Sequence, residues 1–185
     1  MSSHAGRNVV RSRSGPGVPL PADQSTVKHR VGQGFDFHPL VEGRKLILGG
    51  IEIEHSKGLK GHSDADVAAH ALSNAILGAI GEGDLGRKFP DNDPKYAGAD
   101  SISLLAQVWM MAADAGWSLG NADVTIFAQA PKLAPFLDKM RARLAFALGV
   151  DRSLINVKAS NPEGLGALGR GDGIAAAAIV MLERE

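Results

Sequence analysis

The chain of 185 residues has a formal net charge of zero, 44% hydrophobic residues and no cysteine. Its length predicts one domain with a core of its own, and the balanced charge gives no reason to expect binding to nucleic acid or to a membrane surface. Disulfides and thiolate metal sites are excluded, so any metal ion must be held by histidine and carboxylate. No apolar run approaches the roughly 20 residues of a membrane span.

The first 29 residues differ in composition from the rest. They are rich in serine, proline and arginine, and Asp23 is their one acid. Such a segment buries little apolar surface, so we expect a disordered tail at 1–29 and a single domain at 30–185. We expect a cytoplasmic protein. The alternative is an organelle transit peptide in the tail, because such peptides are also rich in arginine and serine and poor in acids.

The apolar pattern predicts strands alternating with helices, which indicates an α/β domain. Strands are expected at 30–38, 45–53 (broken or bulged at Gly49-Gly50), 123–128 and 154–159. Helices are expected from an N-cap at Ser63 to about residue 79, from 101 to about 115, and within 131–148. Between the first two helices, 83–100 is predicted to be a long loop, and such loops tend to be functional.

The segment at 174–182 is ambiguous. Its alanines favour a helix, whereas its length and the glycines before it allow a strand.

Four groups able to bind a metal or handle protons surround the start of the first predicted helix: His62, Asp64, Asp66 and His70. Upstream, Asp36 and His38 lie two apart on a predicted strand, so their side chains share a face. His70 lies four residues after Asp66, near the buried side of the helix. Two strand ligands and one helix ligand would form a three-ligand zinc site with an open position. The alternatives are a surface acid–histidine pair and a capping aspartate beside a hydrogen-bonded histidine.

Polar residues near the helix start and in the long loop suggest contacts with a phosphorylated ligand. His62, beside Ser63, could hold a phosphate, since a helix N-terminus favours anions; otherwise it is an exposed loop histidine. The aspartates of the loop could bind sugar hydroxyls or simply stabilise turns: Asp84, Asp91 and Asp93.

Two further candidates follow predicted strand ends, where α/β folds usually place ligands. Lys132 could contact a phosphate as a point charge. Glu163 could bind a second cation, since Mg²⁺ typically takes one or two carboxylates together with substrate phosphates.

Five segments, in this order, resemble the 2-C-methyl-D-erythritol 2,4-cyclodiphosphate synthase family: GQGFDFHPL (32–40), GHSDADVAAHAL (61–72), GDLGRKFPDNDPKYAGADS (83–101), NADVTIFAQAPKLAP (121–135) and NVKASNPEGLGALGRGDGIA (156–175). The resemblance is colinear, covers about 30–182, and is highly specific as a set. It implies a phosphorus–oxygen lyase of the non-mevalonate pathway to isoprenoid precursors. In 4-diphosphocytidyl-2-C-methyl-D-erythritol 2-phosphate, the 2-phosphate would attack the β-phosphorus, close a cyclic diphosphate and expel CMP.

The resemblance also implies roles for individual residues. Asp36, His38 and His70 would be zinc ligands, with Asp66 in support. The implied catalytic residues are His62, Lys132, Asn161 and Glu163, the last carrying Mg²⁺ or Mn²⁺ between phosphates. The implied substrate-binding residues are Asp36, Phe37, His38, His62, Ser63, Asp84, Leu85, Gly86, Phe89, Pro90, Asp91, Asn92, Asp93, Ala128, Gln129, Ala130, Pro131, Lys132, Leu133, Ala134, Ser160, Asn161, Pro162, Glu163, Ala167 and Arg170.

By the same resemblance, the fold is a small mixed β-sheet with helices packed on one face, an α/β domain of two layers. Members are homotrimers with active sites between subunits, and 174–182 would be a strand. Residues 89–93 would line the methylerythritol pocket and 128–134 the cytidine pocket. Arg170 would lie near the threefold axis, where members can hold an isoprenoid diphosphate.

The chain departs from the family at several positions. Ser160-Asn161-Pro162 replaces a Thr-rich stretch, and Asn161 stands where a transition-state-stabilising threonine is usual. Smaller departures are Asn74 for a frequent Asp, Ala167 for an aromatic residue and Asp172 for Glu. Two other functions stay open: a metal-dependent phosphohydrolase, and a non-catalytic trimeric protein that binds metal or isoprenoid diphosphate.

Overall fold

The computed structural model describes residues 27–96 and 98–185. The strands are β1 His29–Glu42, β2 Leu46–Leu48, β3 Ile51–Ile53, β4 Lys57–Leu59, β5 Ser118–Phe127, β6 Ile155–Ser160 and β7 Gly173–Glu183. The helices are α1 Val67–Ile80, α2 Leu85–Lys88, α3 Ser101–Asp114, α4 Leu137–Leu148 and α5 Gly166–Gly169. Short 3₁₀ turns lie at Pro94–Tyr96, Ala134–Phe136 and Arg152–Leu154.

The predicted tail at 1–29 lies almost wholly outside the described residues, and β1 begins at His29. Within the part of the chain that the structure describes, no helix combines the length and the apolar character needed to cross a membrane.

Five strands form one mixed sheet in the order β4-β1-β7-β5-β6. β1 runs antiparallel to β4 and to β7, β7 runs antiparallel to β5, and β5 runs parallel to β6. The parallel pair is connected through α4, which packs on β6. The long central strand β7 therefore joins the two halves of the sheet.

The helices cover one face of this sheet. On β7 the even-numbered residues are buried beneath them, whereas Ile179 on the other face is 50% exposed. α1 packs on β1 and β7, and α3 packs on α1 and α4. The predicted mixed sheet with helices on one face is thereby confirmed. The other face exposes apolar side chains of β1 and β7: Val31, Phe35, Phe37 and Ile179.

Contact between β1 and α1 is so close that it requires glycine. A Cβ atom at Gly32 would lie 1.8 Å from the carbonyl oxygen of Ala75, and one at Gly34 would lie 2.1 Å from that of Ala71. The alanines of α1 complete the fit, since a larger side chain there would push the helix away from the strand.

Three sequence predictions in this part of the chain were wrong. The strand expected at 45–53 is a hairpin, because Gly49 and Gly50 both adopt positive φ and reverse the chain between β2 and β3. The helix α1 is capped by Asp66 instead of Ser63, since the Asp66 carboxylate accepts from the backbone N–H groups of Ala68 and Ala69. The loop expected at 83–100 contains α2 and a 3₁₀ turn.

The ambiguous segment is the strand β7. Its alanines favour helix intrinsically, but β7 pairs with a neighbour on each side, and small side chains suit a strand that is buried in the middle of the sheet. The strand expected by resemblance is confirmed, because pairing with the neighbouring strands outweighs the helix propensity of the alanines.

The close contact gives a direct test of the fold. Gly32→Ala should destabilise the protein by several kcal/mol, because its Cβ would meet backbone atoms that cannot move independently. The matched control is Gly78→Ala within α1, whose nearest neighbour would be the Gln33 carbonyl oxygen at an ordinary 3.7 Å. That control should be neutral or stabilise by about 0.5–1 kcal/mol through helix propensity. Urea unfolding of both variants measures the difference, and equal stabilities would contradict the packing described.

Candidate functional site

Three side chains from β1 and α1 converge on one point. Asp36 and His38 alternate with the exposed Phe37 and so face the helix layer, and His70 lies in the first turn of α1. The Asp36 Oδ2 atom is 3.0 Å from His38 Nε2 and 2.9 Å from His70 Nδ1, and the two nitrogens are 3.4 Å apart. Among the described residues, this is the group of histidine and carboxylate atoms able to hold a metal ion.

The triangle has the size that a tetrahedral metal requires. With metal–ligand bonds of 2.0–2.1 Å, the edge of a tetrahedron is about 3.4 Å. The observed separations of 2.9 to 3.4 Å therefore fit a small divalent ion bound to two imidazoles and one carboxylate. Three protein ligands leave the fourth position for water or substrate, as in catalytic zinc sites.

The outer nitrogens of both histidines are held by the protein. His38 Nδ1 lies 2.6 Å from the Lys60 carbonyl oxygen, which can only accept, so Nδ1 carries the proton and Nε2 faces the metal position. His70 Nε2 lies 2.8 Å from Ser101 Oγ and 3.2 Å from Ser63 Oγ. Such outer partners orient metal-binding histidines.

The electrostatics of the pair on β1 also favour a bound cation. Burial raises the pKa of Asp36, but hydrogen bonds and charge from His38 and His70 more than offset it, so the pKa lies well below its ordinary range. Burial lowers the pKa of His38, but the hydrogen bond to Asp36, the charge of Asp36 and the hydrogen bond to Lys60 together outweigh it, and the net shift is upward from 6.5. In the metal-free protein a proton can thus occupy the place of a metal ion.

Asp66 supports this site without taking part in it. The side chain is fully buried and accepts from the backbone N–H groups of Gly49 at 2.8 Å and Gly50 at 2.6 Å, besides capping α1. Burial raises the pKa of this carboxyl, while these hydrogen bonds act in the opposite direction. Two first-turn N–H groups of α1, those of Ala68 and Ala69, are occupied by Asp66.

The metal ligands open into a cavity of 410 Å³. Its lining includes predicted substrate-binding residues: His62, Ser63, Leu85, Gly86, Phe89 and Asp91. It also includes Tyr96 and Leu104, which sequence reasoning missed; the ring of Tyr96 packs edge-on against Phe89 at 5.2 Å. Four predicted residues of the 84–93 segment do not line the cavity: Asp84, Pro90, Asn92 and Asp93. Asp93 instead presents its carbonyl oxygen to His62 Nε2 at 3.3 Å.

Two residues position the cavity wall without lining it. Asp84 caps α2 by accepting from the Arg87 N–H at 2.8 Å. Asn74 accepts from the Leu85 N–H at 2.8 Å and so fixes the start of α2 against α1.

Arg44 holds the segment that carries His62. Its guanidinium donates to the carbonyl oxygens of Gly61 at 3.1 Å and Ser63 at 2.6 Å, one on each side of His62. Sequence reasoning missed Arg44, because nothing in the turn after β1 signals a contact 17 residues away.

A second cavity, of 230 Å³, lies at the ends of β5 and β6. Its lining includes most of the predicted cytidine-binding segment and the start of the departing loop: Ala128, Gln129, Pro131, Lys132, Leu133, Ala134, Ser160 and Asn161. Gln129 Oε1 accepts from the Gly164 N–H at 3.0 Å and ties the two segments together.

The remaining predicted residues lie around α5. A third cavity, of 710 Å³, has a mainly apolar lining that includes Phe37, Pro162 and Ala167. Glu163 is exposed and has a φ of 54°. Arg170 is exposed and forms a 2.8 Å ion pair with Asp172.

Within one chain, the metal ligands and the second cavity are well separated. Phe37, Ala175, Phe127 and Ser160 face one another across four neighbouring strands. Three strand spacings amount to about 14 Å. The structure therefore does not bring Lys132 and Asn161 into the cavity that holds His62, and no residue lines both cavities.

The fold and the site define a mixed α/β domain with a three-ligand metal-binding group between a strand and a helix. The family model described as the YgbB family matches residues 29–183. The chain belongs to this family. The resemblance predicted from the sequence is thereby confirmed.

Two similar proteins have the same name. The chain is 59% identical over 155 residues to the 2-C-methyl-D-erythritol 2,4-cyclodiphosphate synthase of Geobacillus kaustophilus, covering 84% of this chain and 98% of that protein. It is 55% identical over 155 residues to the synthase of the same name in Bacillus subtilis, with the same coverage.

Solved structures agree in fold. The bifunctional IspDF of Campylobacter jejuni superposes with a TM-score of 0.82 at 43% identity, covering 85% of this chain and 43% of that protein. The CDP complex of IspF from Plasmodium falciparum superposes with a TM-score of 0.75 at 30% identity, covering 85% and 97%.

The pKa shift of His38 predicts opposite pH dependences with and without metal. A histidine whose pKa is raised on folding contributes stability that is fully present below its unfolded pKa of about 6.5 and is lost as the pH rises through its folded pKa. The free energy of unfolding of metal-free protein should therefore fall as the pH rises above about 6.5. Stabilisation by added zinc should rise over the same range, because the metal binds neutral imidazole.

Urea titrations at several pH values measure both slopes. His38→Gln should remove its contribution to each slope, whereas His55→Gln, a histidine outside the site, should leave both in place. Slopes in the His38 variant equal to those of wild type would contradict the assignment.

Proposed function

We propose that this chain is a 2-C-methyl-D-erythritol 2,4-cyclodiphosphate synthase. It converts 4-diphosphocytidyl-2-C-methyl-D-erythritol 2-phosphate to the cyclic diphosphate and CMP, in the non-mevalonate pathway. The observation that carries this proposal is the metal-binding triangle of Asp36, His38 and His70 at the wall of a cavity that also contains His62 and the α2 segment. Its setting in a chain 59% identical to a synthase of this name supports the reaction.

Zinc is the proposed ion at this triangle, because two imidazoles and one carboxylate at tetrahedral spacing suit it. When bound, zinc would act as a Lewis acid toward phosphate oxygens. Asp36, His38 and His70 would hold it, and Ser101 and Lys60 would keep the two imidazoles oriented through their outer nitrogens.

His62 is the proposed group that orients the substrate and stabilises charge in the transition state. The side chain is exposed at the cavity, so it can reach a ligand without losing a buried partner. Arg44 fixes the backbone on both sides of it, which limits the positions that the imidazole can take. Positioning of this kind supplies much of the rate enhancement in phosphoryl transfer.

Asn161 is proposed to replace the usual threonine as a donor to phosphate. Its Oδ1 atom accepts from the Glu163 N–H at 2.8 Å, so the oxygen of the amide is engaged in the local turn. The Nδ2 group, which can only donate, is left for a phosphate oxygen. The same turn sets the backbone of Glu163, the proposed ligand of Mg²⁺ or Mn²⁺ between the substrate phosphates.

The nucleotide is proposed to occupy the cavity formed by 128–134 and the end of β6. Solved relatives include complexes with CDP. Lys132 lies in the lining of this cavity and would place its ammonium beside the diphosphate. Backbone groups of 128–134 would read the base.

A homotrimer would reconcile the two separate cavities. The distance of about 14 Å across the sheet in one chain supports an active site completed by a neighbouring subunit. The open sheet face supports the same assembly, because Phe37 is 64% and Val31 69% exposed there, and exposed apolar patches mark interaction surfaces. Arg170, beside the apolar 710 Å³ cavity, would bind the diphosphate of an isoprenoid near the threefold axis.

The reaction is tested by ³¹P NMR of purified protein with the proposed substrate, zinc and Mg²⁺. We expect a cyclic diphosphate with equimolar CMP. Release of inorganic phosphate would point to a phosphohydrolase. Unchanged substrate in the presence of bound zinc would favour a binding protein, and either result would contradict the proposal.

Glu163→Gln should keep zinc but lose the response to added Mg²⁺. We expect a fall in kcat of about 100-fold or more, the scale of losing one electrostatic stabiliser of a transition state. The matched control is Glu54→Gln, an exposed glutamate outside the described cavities, which should behave as wild type. Initial rates across a Mg²⁺ titration measure the effect. An unchanged Mg²⁺ response in the Glu163 variant would defeat the assignment.

A further inference from the structure

We infer that Asp64 and Ser101 fix the tautomer of His70 and so preset its Nδ1 atom as a metal ligand. The inference rests on the metal site of the proposed function and assigns two positioning residues to it. Neither residue touches the metal position, and both act through the imidazole of His70.

Ser101 connects the imidazole to a carboxylate. The side chain is fully buried at the first position of α3, with its Oγ atom 2.8 Å from His70 Nε2. Its hydroxyl donates to Asp64 Oδ1, and its backbone N–H donates to Asp64 Oδ2 at 3.1 Å. The Asp64 N–H in turn donates to the Ala99 carbonyl oxygen at 3.1 Å. Asp64 and Ser101 are thus joined at two points and cannot rotate independently.

The direction of these hydrogen bonds follows from the chemistry of the groups. An ionised carboxylate only accepts, and a serine hydroxyl has a single hydrogen to give. Since the Ser101 hydrogen points to Asp64, the Ser101 oxygen must accept from His70, and the imidazole proton lies on Nε2. The lone pair of Nδ1 then faces Asp36 Oδ2 and His38 Nε2.

Ser63 completes the network, and its hydrogen bonds run in the same direction. Its Oγ atom accepts from the Ala65 N–H at 3.1 Å and lies 3.2 Å from His70 Nε2, whose N–H it can share with Ser101. It also lies 3.3 Å from Ser101 Oγ, where its hydrogen can fill the second lone pair. No buried polar side-chain atom of the described residues lacks a partner. A complete buried network of this kind has one low-energy arrangement.

The consequence is that, when both imidazoles are neutral, three acceptor atoms meet with no donor among them. His38 carries its proton on Nδ1, toward Lys60. Asp36 is a carboxylate, and His70 is set to Nε2–H by Ser101 and Asp64. A bound metal ion, or in its absence a proton shared with Asp36, relieves the repulsion between these atoms. The network therefore favours a cation at this position.

Removing the network should therefore weaken metal binding while leaving all three ligands in place. Ser101→Ala and Asp64→Asn should each lower zinc affinity by about 10- to 100-fold, the usual effect of losing an outer partner of a metal-binding histidine. In Asp64→Asn the amide can donate to Ser101. The Ser101 hydroxyl would then donate to His70, so the direction of the hydrogen bonds would be reversed. The matched control is Ser103→Ala, which removes an exposed hydroxyl two residues along α3 that bonds to Asp100 at 2.7 Å.

Zinc affinity is measured by competition with a chromophoric chelator, after circular dichroism has checked folding. Independently, ¹⁵N NMR of metal-free protein, at a pH where His70 is neutral, reports its tautomer. We expect Nε2–H alone in wild type and in Ser103→Ala, and a shift toward Nδ1–H in Asp64→Asn.

Two results would overturn the inference. One is a wild-type His70 that carries its proton on Nδ1, which can be read even if a variant does not fold. The other is zinc affinity in Ser101→Ala and Asp64→Asn equal to that of Ser103→Ala. Neither measurement uses substrate, so a protein that makes no cyclic product could still meet both expectations.

Discussion

The contact between the backbone of β1 and the backbone of α1 determines the rest of the structure. Gly32 and Gly34 let the helix lie so near the strand that no Cβ atom fits between them. At that separation His70, in the first turn of α1, reaches the two alternate side chains of β1, and the triangle of ligand atoms closes to 2.9–3.4 Å. If a side chain separated the helix from the strand, His70 would be too far from Asp36 and His38 to bind the same ion.

Buried polar groups then orient the side chains that form the triangle. Asp66 anchors the start of α1 to the β2–β3 turn, and Ser101 anchors His70 to the start of α3. Each anchor is a long-range contact between segments that are separate in sequence. The site is therefore built by the packed core, and its ligands do not depend on a mobile loop for their orientation.

Much of this could be predicted from the sequence. Asp36 and His38 share a face because strands alternate, and the buried side of α1 followed from its apolar residues. The contacts that could not be predicted are those made across the fold. Nothing local distinguishes Asp66 from Ser63 as the cap, because the choice depends on the Gly49 and Gly50 N–H groups that approach Asp66 from another element. The link between Ser101 and His70, 31 residues apart, was likewise invisible.

In the β7 segment, pairing with other strands outweighs the local preference of the sequence. Its alanines favour helix locally, and only pairing with β1 and β5 makes it a strand. Similarly, the sequence indicated that Lys132 and Glu163 follow strand ends. It did not indicate how far they lie from the metal ligands across the sheet. That distance depends on strand order, which no single segment encodes.

The central claim is that Asp36, His38 and His70 bind one metal ion with an open fourth position. Zinc-edge X-ray absorption, with metal content measured on wild type and His70→Ala, tests it most directly. The account predicts a single zinc per chain in wild type, with nitrogen and oxygen ligands at about 2.0–2.1 Å, and loss of that zinc in the variant. Full zinc content in His70→Ala with an unchanged spectrum would contradict it.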